Sequence, residues 1–310
     1  MSKTFEIIVD AASDISPELQ KKWDIQIVES HITLPDGSDI LFSNKWDKLE
    51  RDKFYADLKK NPDGFATAPG NVAAFKAAFE AAIGAGKGVL AISISSSLSG
   101  TNSFMQQARN EVLAENPNAP VMVVDSLRFS VGFGLLAIYA AKQREAGKTL
   151  EETCAYIEEA KNCVHQAGWL DDLSFVAKKG RLTHAKAFFG SLAGVKPIGE
   201  FDYNGLTTVI AKAKGAKQAY AALLDYVEKT GIDLENQDLL IAQTNRLPQA
   251  QEYKKLLEEK FHPQSITIVD VFPACGVNVG PGLMAVYYSG KPISKDLSEE
   301  RAILNKFLGA

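Results

Sequence analysis

The chain has few of the features that mark specialised classes of protein. Its 310 residues include three cysteines, Cys154, Cys163 and Cys275, and no CxxC pair, which excludes a disulfide framework. No apolar run approaches the ~20 residues that span a bilayer. The first residues, MSKTFEIIVD, enter a predicted strand without the apolar region of a signal peptide. These absences predict reduced thiols, no integral membrane segment and a cytoplasmic location.

An excess of charge of one sign is also lacking. The chain has 34 Lys and Arg residues against 38 Asp and Glu, a formal net charge of -4, so it has no basic footprint for nucleic acid. The phosphate-binding motifs GxGxxG and GxxxxGK[ST] and the hydrolase motif GxSxG do not occur. The four histidines do not form a cluster with the spacing of zinc ligands. The sequence therefore predicts neither a metal nor another cofactor.

Apolar strands alternate with helical patterns along the first half of the chain. FEIIVD (5–10), GVLAISI (88–94) and APVMVVDS (119–126) are apolar runs of the kind buried in parallel sheets. They predict a doubly wound, mostly parallel sheet covered by helices. In the second half, a hairpin-like DYNGLTTVI (202–210) among further strands and helices predicts a mixed sheet. Because single cores stop growing near ~250–300 residues, we expect two α/β domains, 1–160 and 161–310.

Hydrophobic periodicity and polar residues at strand ends indicate further local elements. IQIVESHITL (25–34) is predicted to be one strand, and a helix is predicted from about Thr149 to Gln166. Phe75 and Phe79 lie four residues apart on a helical stripe that we assign to the core. For Asp10, at the end of the first strand, two interpretations stay open: it caps the helix that follows, or it faces a cleft between the domains.

The densest group of hydroxyl side chains lies where a buried strand gives way to a helix. Five of the seven residues from 95 to 101 carry a hydroxyl group: Ser95, Ser96, Ser97, Ser99 and Thr101. Free N–H groups at a helix start and the helix dipole favour an anion. Capping the helix needs one such residue, so this corner predicts a site for an anion or carboxylate rather than a cap alone.

Four segments together resemble the DegV family, bacterial fatty-acid-binding proteins that serve as substrate-carrying subunits of fatty acid kinase. They are VDAASDI (9–15), ISSSLSGT (94–101), KKGRLTHAKAFFGSLAGVKPI (178–198) and NVGPGLMAVYY (278–288). The second segment is similar to the family's I-S-S-x-L-S-G-T almost letter for letter. The four segments occur in the expected order over nearly the whole chain. The resemblance implies two α/β domains with an acyl chain buried between them.

The resemblance also implies which residues hold the head group of a long-chain fatty acid. Ser96, with Ser95 beside it, corresponds to the serine that holds the carboxylate. Thr67 in FATAPG keeps one hydroxyl donor of the family's T-S-Q-P segment. Asn278 lies where the family has a histidine, and an amide can donate a hydrogen bond but carries no charge. Gly280 and Gly282 of the GPG motif are expected to adopt unusual φ values.

The implied partner is the catalytic subunit of a fatty acid kinase, which would supply the nucleotide and the metal, so this chain is expected to be non-catalytic. Arg181 and Lys214 are the candidate docking residues. Lys214 lies where the family has an arginine, and it keeps the charge without the planar guanidinium fork. For Arg181, which follows Lys178 and Lys179, a solvated helix start is the competing interpretation.

A second hypothesis from another functional class stays open. An enzyme with the related dihydroxyacetone-kinase type of fold would act on a small phosphorylated or carbonyl substrate at the same corner. Such an enzyme needs a histidine that attacks a carbonyl group, or an acidic metal cluster. Neither occurs in the sequence near the serine or GPG motifs.

Overall fold

The computed structural model describes residues 4–182 and 194–309, so part of the third DegV-like segment lies outside the described residues. The strands are β1 (Phe5–Asp10), β2 (Ile25–Val28), β3 (Ser30–Thr33), β4 (Asp39–Phe42), β5 (Ala66–Ala68), β6 (Gly88–Ser93), β7 (Val121–Asp125), β8 (Val164–Leu170), β9 (Val195–Phe201), β10 (Thr207–Lys214), β11 (Asp238–Gln243), β12 (Ser265–Asp270) and β13 (Leu283–Ser289). The helices are α1 (Pro17–Trp23), α2 (Arg51–Lys60), α3 (Val72–Gly84), α4 (Thr101–Glu115), α5 (Val131–Glu145), α6 (Leu150–Ala160), α7 (Ser174–Lys178), α8 (Gly215–Thr230), α9 (Leu247–Phe261), α10 (Pro273–Val279) and α11 (Ser298–Leu308). Among the described residues, no helix combines the length and apolar character needed to cross a membrane.

The chain forms two compact units, and neither is continuous in sequence. Unit 1 takes the chain up to Lys48 together with Asp63–Lys161 and Phe272–Ala274. Unit 2 takes Leu49–Pro62, Asn162–Val271 and the chain from Cys275 onward. The division into domains 1–160 and 161–310 stays a prediction.

Unit 1 contains the parallel sheet predicted from the apolar strands. Its strand order is β2-β1-β6-β7, and every neighbouring pair is parallel. An antiparallel sheet of order β4-β3-β5 accompanies it. Phe75 and Phe79 of α3 are fully buried in the core against Ile8, Val89 and Met105, which confirms that their helical stripe belongs to the core.

Local sequence signals place the helices of unit 1. The Ser16 hydroxyl accepts from the Leu19 N–H at the start of α1, and Pro17 occupies the first turn, where no N–H is needed. Thr149 and Glu152 form a reciprocal capping box at the start of α6.

Unit 2 is built on one six-stranded sheet of order β10-β9-β8-β13-β11-β12. β11 and β12 are parallel and the other pairs are antiparallel, so the sheet is mixed, as predicted. β9 and β10 form the predicted hairpin, in which the Asp202 N–H donates to the Leu206 carbonyl. Gly205 in this turn has a φ of 82°, a conformation that glycine adopts without strain.

A network of hydrogen bonds around the buried Glu200 stabilises the unit 2 sheet. The Glu200 carboxylate is fully buried and accepts from Nδ1 of His165 at 2.9 Å, from the Tyr226 hydroxyl at 2.8 Å, and from the Gln166 and Phe201 N–H groups at 2.8 Å each. Burial, followed by the nearby Glu200 charge, raises the pKa of Tyr226 well above its usual value, so its hydroxyl stays protonated and donates. Four donors therefore depend on one carboxylate.

Two local predictions were wrong. IQIVESHITL is divided between β2 and β3, which lie in different sheets, because the chain leaves the parallel sheet at Glu29. The helix predicted to reach Gln166 ends at Ala160, and β8 begins at Val164 as a fully buried strand next to β13 and β9. Tertiary burial, rather than local periodicity, decides the second case.

Candidate functional site

The serine-rich segment forms the loop between β6 and α4, at the carboxyl edge of the unit 1 sheet. In this sheet β2 lies on the outer side of β1, and β7 lies on the outer side of β6. The order in which the strands follow one another therefore reverses between β1 and β6. Ligands of open α/β sheets bind outside the carboxyl ends of strands at such a point. Asp10 ends β1 and Ser93 ends β6, so the loop after Ser93 occupies this position.

Two hydroxyl side chains of the loop hold its own backbone together. Ser95 is fully buried; its N–H donates to the Arg128 carbonyl at 2.9 Å, and its hydroxyl accepts from the Ser97 N–H at 3.2 Å. The Ser99 hydroxyl accepts from the Thr101 N–H at 3.3 Å and lies 2.9 Å from the Thr101 hydroxyl. These contacts fix the loop and the first residue of α4.

Ser96 differs from both of these serines because it is exposed. Its hydroxyl makes no hydrogen bond within the part of the chain that the structure describes, whereas its backbone N–H donates to Oδ1 of Asp125 at 3.1 Å. The backbone of Ser96 is thus fixed while its hydroxyl points to no protein partner among these residues. This is the geometry expected of a residue that donates to a ligand.

Two residues that were not predicted, Asp125 and Arg128, hold the serine loop from the end of β7 and from the loop that follows it. Asp125 ends β7 opposite Ser93 of β6, and its Oδ1 also accepts from the Leu127 N–H at 3.2 Å. Arg128 is fully buried, and its Nη1 donates to the Leu127 carbonyl at 2.7 Å. The signal for Asp125 was available, since a polar residue ending the adjacent parallel strand lies at the same edge of the sheet.

Asp10 caps the helix that follows β1, as one of its two interpretations predicted, and this helix is a single 3₁₀ turn, Ala11–Ser13. Its Oδ1 accepts from the Ala12 N–H at 2.8 Å, and its side chain is 1% exposed. Burial raises the pKa of Asp10 to about 6, although the hydrogen bonds from Ala12 and from the Thr101 side chain act in the opposite direction. A buried carboxyl group therefore lies directly beneath the start of α4.

The other predicted head-group residues lie on separate elements. Thr67 is the central residue of β5, is half-buried and pairs with Ile32 in the three-stranded sheet of unit 1. Asn278 belongs to α10 and is half-buried in unit 2. The structure thus brings Ser95 and Ser96 together in one loop, with Thr67 in a different sheet of the same unit.

The GPG motif has the backbone conformation predicted for it. Gly280 and Gly282 have φ values of 73° and 112°. A Cβ atom at Gly280 would lie 2.4 Å from the Phe175 ring, so close packing as well as φ requires glycine there. The Gly282 carbonyl accepts from the Asp171 N–H at 3.2 Å, and the Gly282 N–H donates to the Thr244 carbonyl at 2.9 Å. The motif is therefore a fixed corner between α10 and β13.

The two candidate docking residues are exposed in unit 2 and lie far apart. Leu182, next to Arg181, forms a bridge with Thr207, the first residue of β10, and Lys214 is the last residue of that strand. An eight-residue strand spans roughly 23 Å. One small contact cannot include both residues, so any partner that uses both must cover the length of β10.

Unit 1 also carries a groove of about 520 Å³ beside the edge strand β2. Four alanines of α3 form one wall, and Val28 and Leu41 lie among its other lining residues. None of the predicted head-group residues lines this groove. It is therefore a feature separate from the serine loop.

Comparison with known proteins identifies the family. A model of the DegV family matches residues 4–291, and the chain therefore belongs to the DegV family. A DegV domain-containing protein of Clostridium perfringens is 29% identical over 290 residues, which cover 93% of this chain and 98% of that protein. The family resemblance in the sequence is thus confirmed.

Solved structures show the same fold. A DegV lipid binding protein from Thermotoga maritima is 22% identical, with 93% of this chain and 98% of that chain covered and a TM-score of 0.79. The fatty acid kinase B3 protein of Streptococcus pneumoniae, solved loaded with linoleic acid, is 21% identical, with 93% and 100% covered and a TM-score of 0.77. These likenesses confirm the predicted pair of α/β domains, the first with a mostly parallel sheet and the second with a mixed one.

Proposed function

We propose that this chain binds a long-chain fatty acid and presents its carboxylate to a separate fatty acid kinase, without itself catalysing a reaction. The observation that carries the proposal is Ser96, an exposed hydroxyl on a loop whose backbone is held by Asp125 and Arg128. Two of the structurally similar proteins support it, one described as lipid binding and the other loaded with linoleic acid.

Ser96 is the proposed principal contact of the carboxylate. Ser95 lies beside it, and its buried hydroxyl fixes the loop by accepting from the Ser97 N–H. Thr67 and Asn278 are the further proposed donors, one a hydroxyl and the other a neutral amide. The head group would then be held by uncharged donors, which leaves its negative charge available to an incoming phosphoryl donor.

The two ends of the ligand contribute unequally to the free energy of binding. Burying about 14 methylene groups at about 0.8 kcal/mol each gives a gross transfer free energy of about 11 kcal/mol. A hydrogen bond to a charged carboxylate contributes roughly 1.5–3 kcal/mol. The hydrocarbon tail therefore supplies most of the affinity, and the hydroxyl groups determine which end of the ligand stays accessible.

For the kinase partner, we propose that docking uses Arg181 and Lys214. Both side chains are exposed, and their separation along β10 calls for a partner surface that covers this edge strand of the unit 2 sheet. The kinase would bring the nucleotide and its metal ion, so this chain needs no cofactor of its own.

Replacing Ser96 by alanine tests the head-group assignment. We expect Ser96→Ala to weaken the binding of oleic acid about tenfold to hundredfold, because one hydrogen bond to the carboxylate is lost. The matched control is Ser103→Ala on α4, an exposed serine without a hydrogen bond among the described residues, and it should stay within about twofold of wild type. Isothermal titration of protein freed of lipid measures both effects, and equal effects of the two changes would refute the assignment.

A further inference from the structure

We propose that Asp125 is a specificity-determining residue of the Ser96 site: it positions Ser96, and its negative charge restrains the binding of anionic head groups. This inference rests on the proposed fatty-acid binding at Ser96. It concerns how strongly the site distinguishes a carboxylate from a neutral head group on the same hydrocarbon chain.

The positioning role follows from the hydrogen bonds of one oxygen atom. Oδ1 of Asp125 accepts from the N–H groups of both Ser96, at 3.1 Å, and Leu127, at 3.2 Å. It therefore links the loop after β6 to the loop after β7. The same two loops are joined by the Ser95 N–H, which donates to the Arg128 carbonyl at 2.9 Å, and by the Ser126 N–H, which donates to the Ser93 carbonyl at 3.3 Å.

The electrostatic role follows from where this carboxylate lies. The Ser96 hydroxyl oxygen is three covalent bonds from the nitrogen that donates to Asp125, so a ligand carboxylate bound to that hydroxyl has a second carboxylate close by. Like charges at such short range repel each other when they are partly shielded from water. A neutral head group on the same hydroxyl would not experience this repulsion.

Among the described residues, no cation forms an ion pair with the Asp125 side chain. Lys161 donates from Nζ to the backbone carbonyl of Asp125 at 3.1 Å, but the same Nζ lies 2.6 Å from the Glu158 carboxylate. The positive charge of Lys161 is thus paired with Glu158. The Asp125 side chain itself receives backbone N–H donors, which carry only partial charge.

Two substitutions separate positioning from charge. Asp125→Asn keeps an oxygen that can accept from the Ser96 and Leu127 N–H groups and removes the negative charge. Asp125→Ala removes both the acceptor and the charge. Asp36→Asn is the matched control, because this exposed carboxylate also accepts from a backbone N–H, that of Ser38 at 2.9 Å, and its removal changes the net charge equally.

The experiment compares oleic acid with oleamide, which have the same hydrocarbon chain and differ in the charge of the head group. Isothermal titration at about pH 7.5 gives both affinities for wild type and each variant. We expect Asp125→Asn to raise the acid-to-amide affinity ratio about threefold to thirtyfold and Asp36→Asn to leave it unchanged. Asp125→Ala should bind both ligands more weakly than Asp125→Asn does, because the Ser96 backbone loses its anchor.

The outcomes separate this inference from the proposed function. If wild type binds oleic acid and the ratio in Asp125→Asn is unchanged or lower, the inference is wrong and the proposed function stands. If wild type binds neither ligand, the proposed function is wrong, and the inference that rests on it falls with it. Should Asp125→Asn not fold, the salt dependence of wild type decides: screening should raise the acid-to-amide ratio from low to high ionic strength, and a constant or falling ratio would overturn the inference.

Discussion

Replacing Glu200 by alanine is expected to lower the free energy of unfolding of unit 2 by about 3–5 kcal/mol. The carboxylate is fully buried between β9 and β8 and accepts from four donors, one of which is the His165 ring. Alanine leaves these donors without an acceptor in a site closed to water. Leaving these buried donors unpaired raises the free energy of the folded state more than removal of the buried charge lowers it.

Glutamine at the same position separates hydrogen bonding from charge. The amide oxygen of Glu200→Gln can accept from the Gln166 and Phe201 N–H groups, and its NH₂ group can donate to Nδ1 of a neutral His165. We therefore expect Glu200→Gln to lose roughly 1 kcal/mol, much less than alanine. The exposed Glu235→Ala should change stability by less than about 0.5 kcal/mol.

Denaturant unfolding combined with hydrogen exchange of peptides from β8 and β9 measures these differences where they arise. Protection of those peptides should fall in Glu200→Ala and be nearly retained in Glu200→Gln. Similar losses in the two variants would show that the charge, and not the set of hydrogen bonds, stabilises the sheet.

Replacing Asp10 by asparagine is expected to raise the free energy of unfolding of unit 1, and to raise it more at neutral pH than at acidic pH. Burial raises the folded-state pKa of Asp10 from 3.8 to about 6, so the folded protein binds this proton more tightly than the unfolded chain does. At about pH 7.5 the folded state holds an ionised, desolvated carboxylate at a cost of about 3 kcal/mol. The cost shrinks as pH falls through 6 and is nearly gone below the unfolded pKa.

The measured quantity is the difference in free energy of unfolding between Asp10→Asn and wild type. Asparagine keeps the oxygen that accepts from the Ala12 N–H, so the cap of the turn survives. The difference should fall by about 1–2 kcal/mol between about pH 7.5 and pH 5. Asp36→Asn is the control, since hydrogen bonds from Ser38 lower the pKa of the exposed Asp36, the opposite direction. A difference for Asp10→Asn that does not depend on pH would show that the site is not desolvated.

Much of the fold could be predicted because its signals are local. Buried parallel strands appear as unbroken apolar runs, and Ser16, Pro17 and Thr149 mark helix starts through the backbone groups that helices leave unpaired. Two errors came from contacts that are distant in sequence. No glycine or proline marks the change of sheet at Glu29, and the start of β8 at Val164 is set by neighbouring strands.

Part of the candidate site was predictable because its signal is also local in sequence. Five hydroxyl groups in seven residues made the serine loop conspicuous, but the sequence could not tell which of them serve the loop. The structure assigns the Ser95 and Ser99 hydroxyls to the loop itself and leaves Ser96 and Ser97 exposed. Asp125 was recognisable from the sequence only as a polar residue at the end of the next apolar strand, because its contact with Ser96 depends on the pairing of β6 with β7, which places it opposite Ser93.

The most direct test of the central claim is mass spectrometry of what the protein carries. Protein purified from bacterial cells under native conditions, then denatured and extracted, should release long-chain fatty acid in about equimolar amount, and Ser96→Ala should release less than Ser103→Ala does. Protein that repeatedly emerges without fatty acid, and does not take up oleic acid when it is added, would contradict the account.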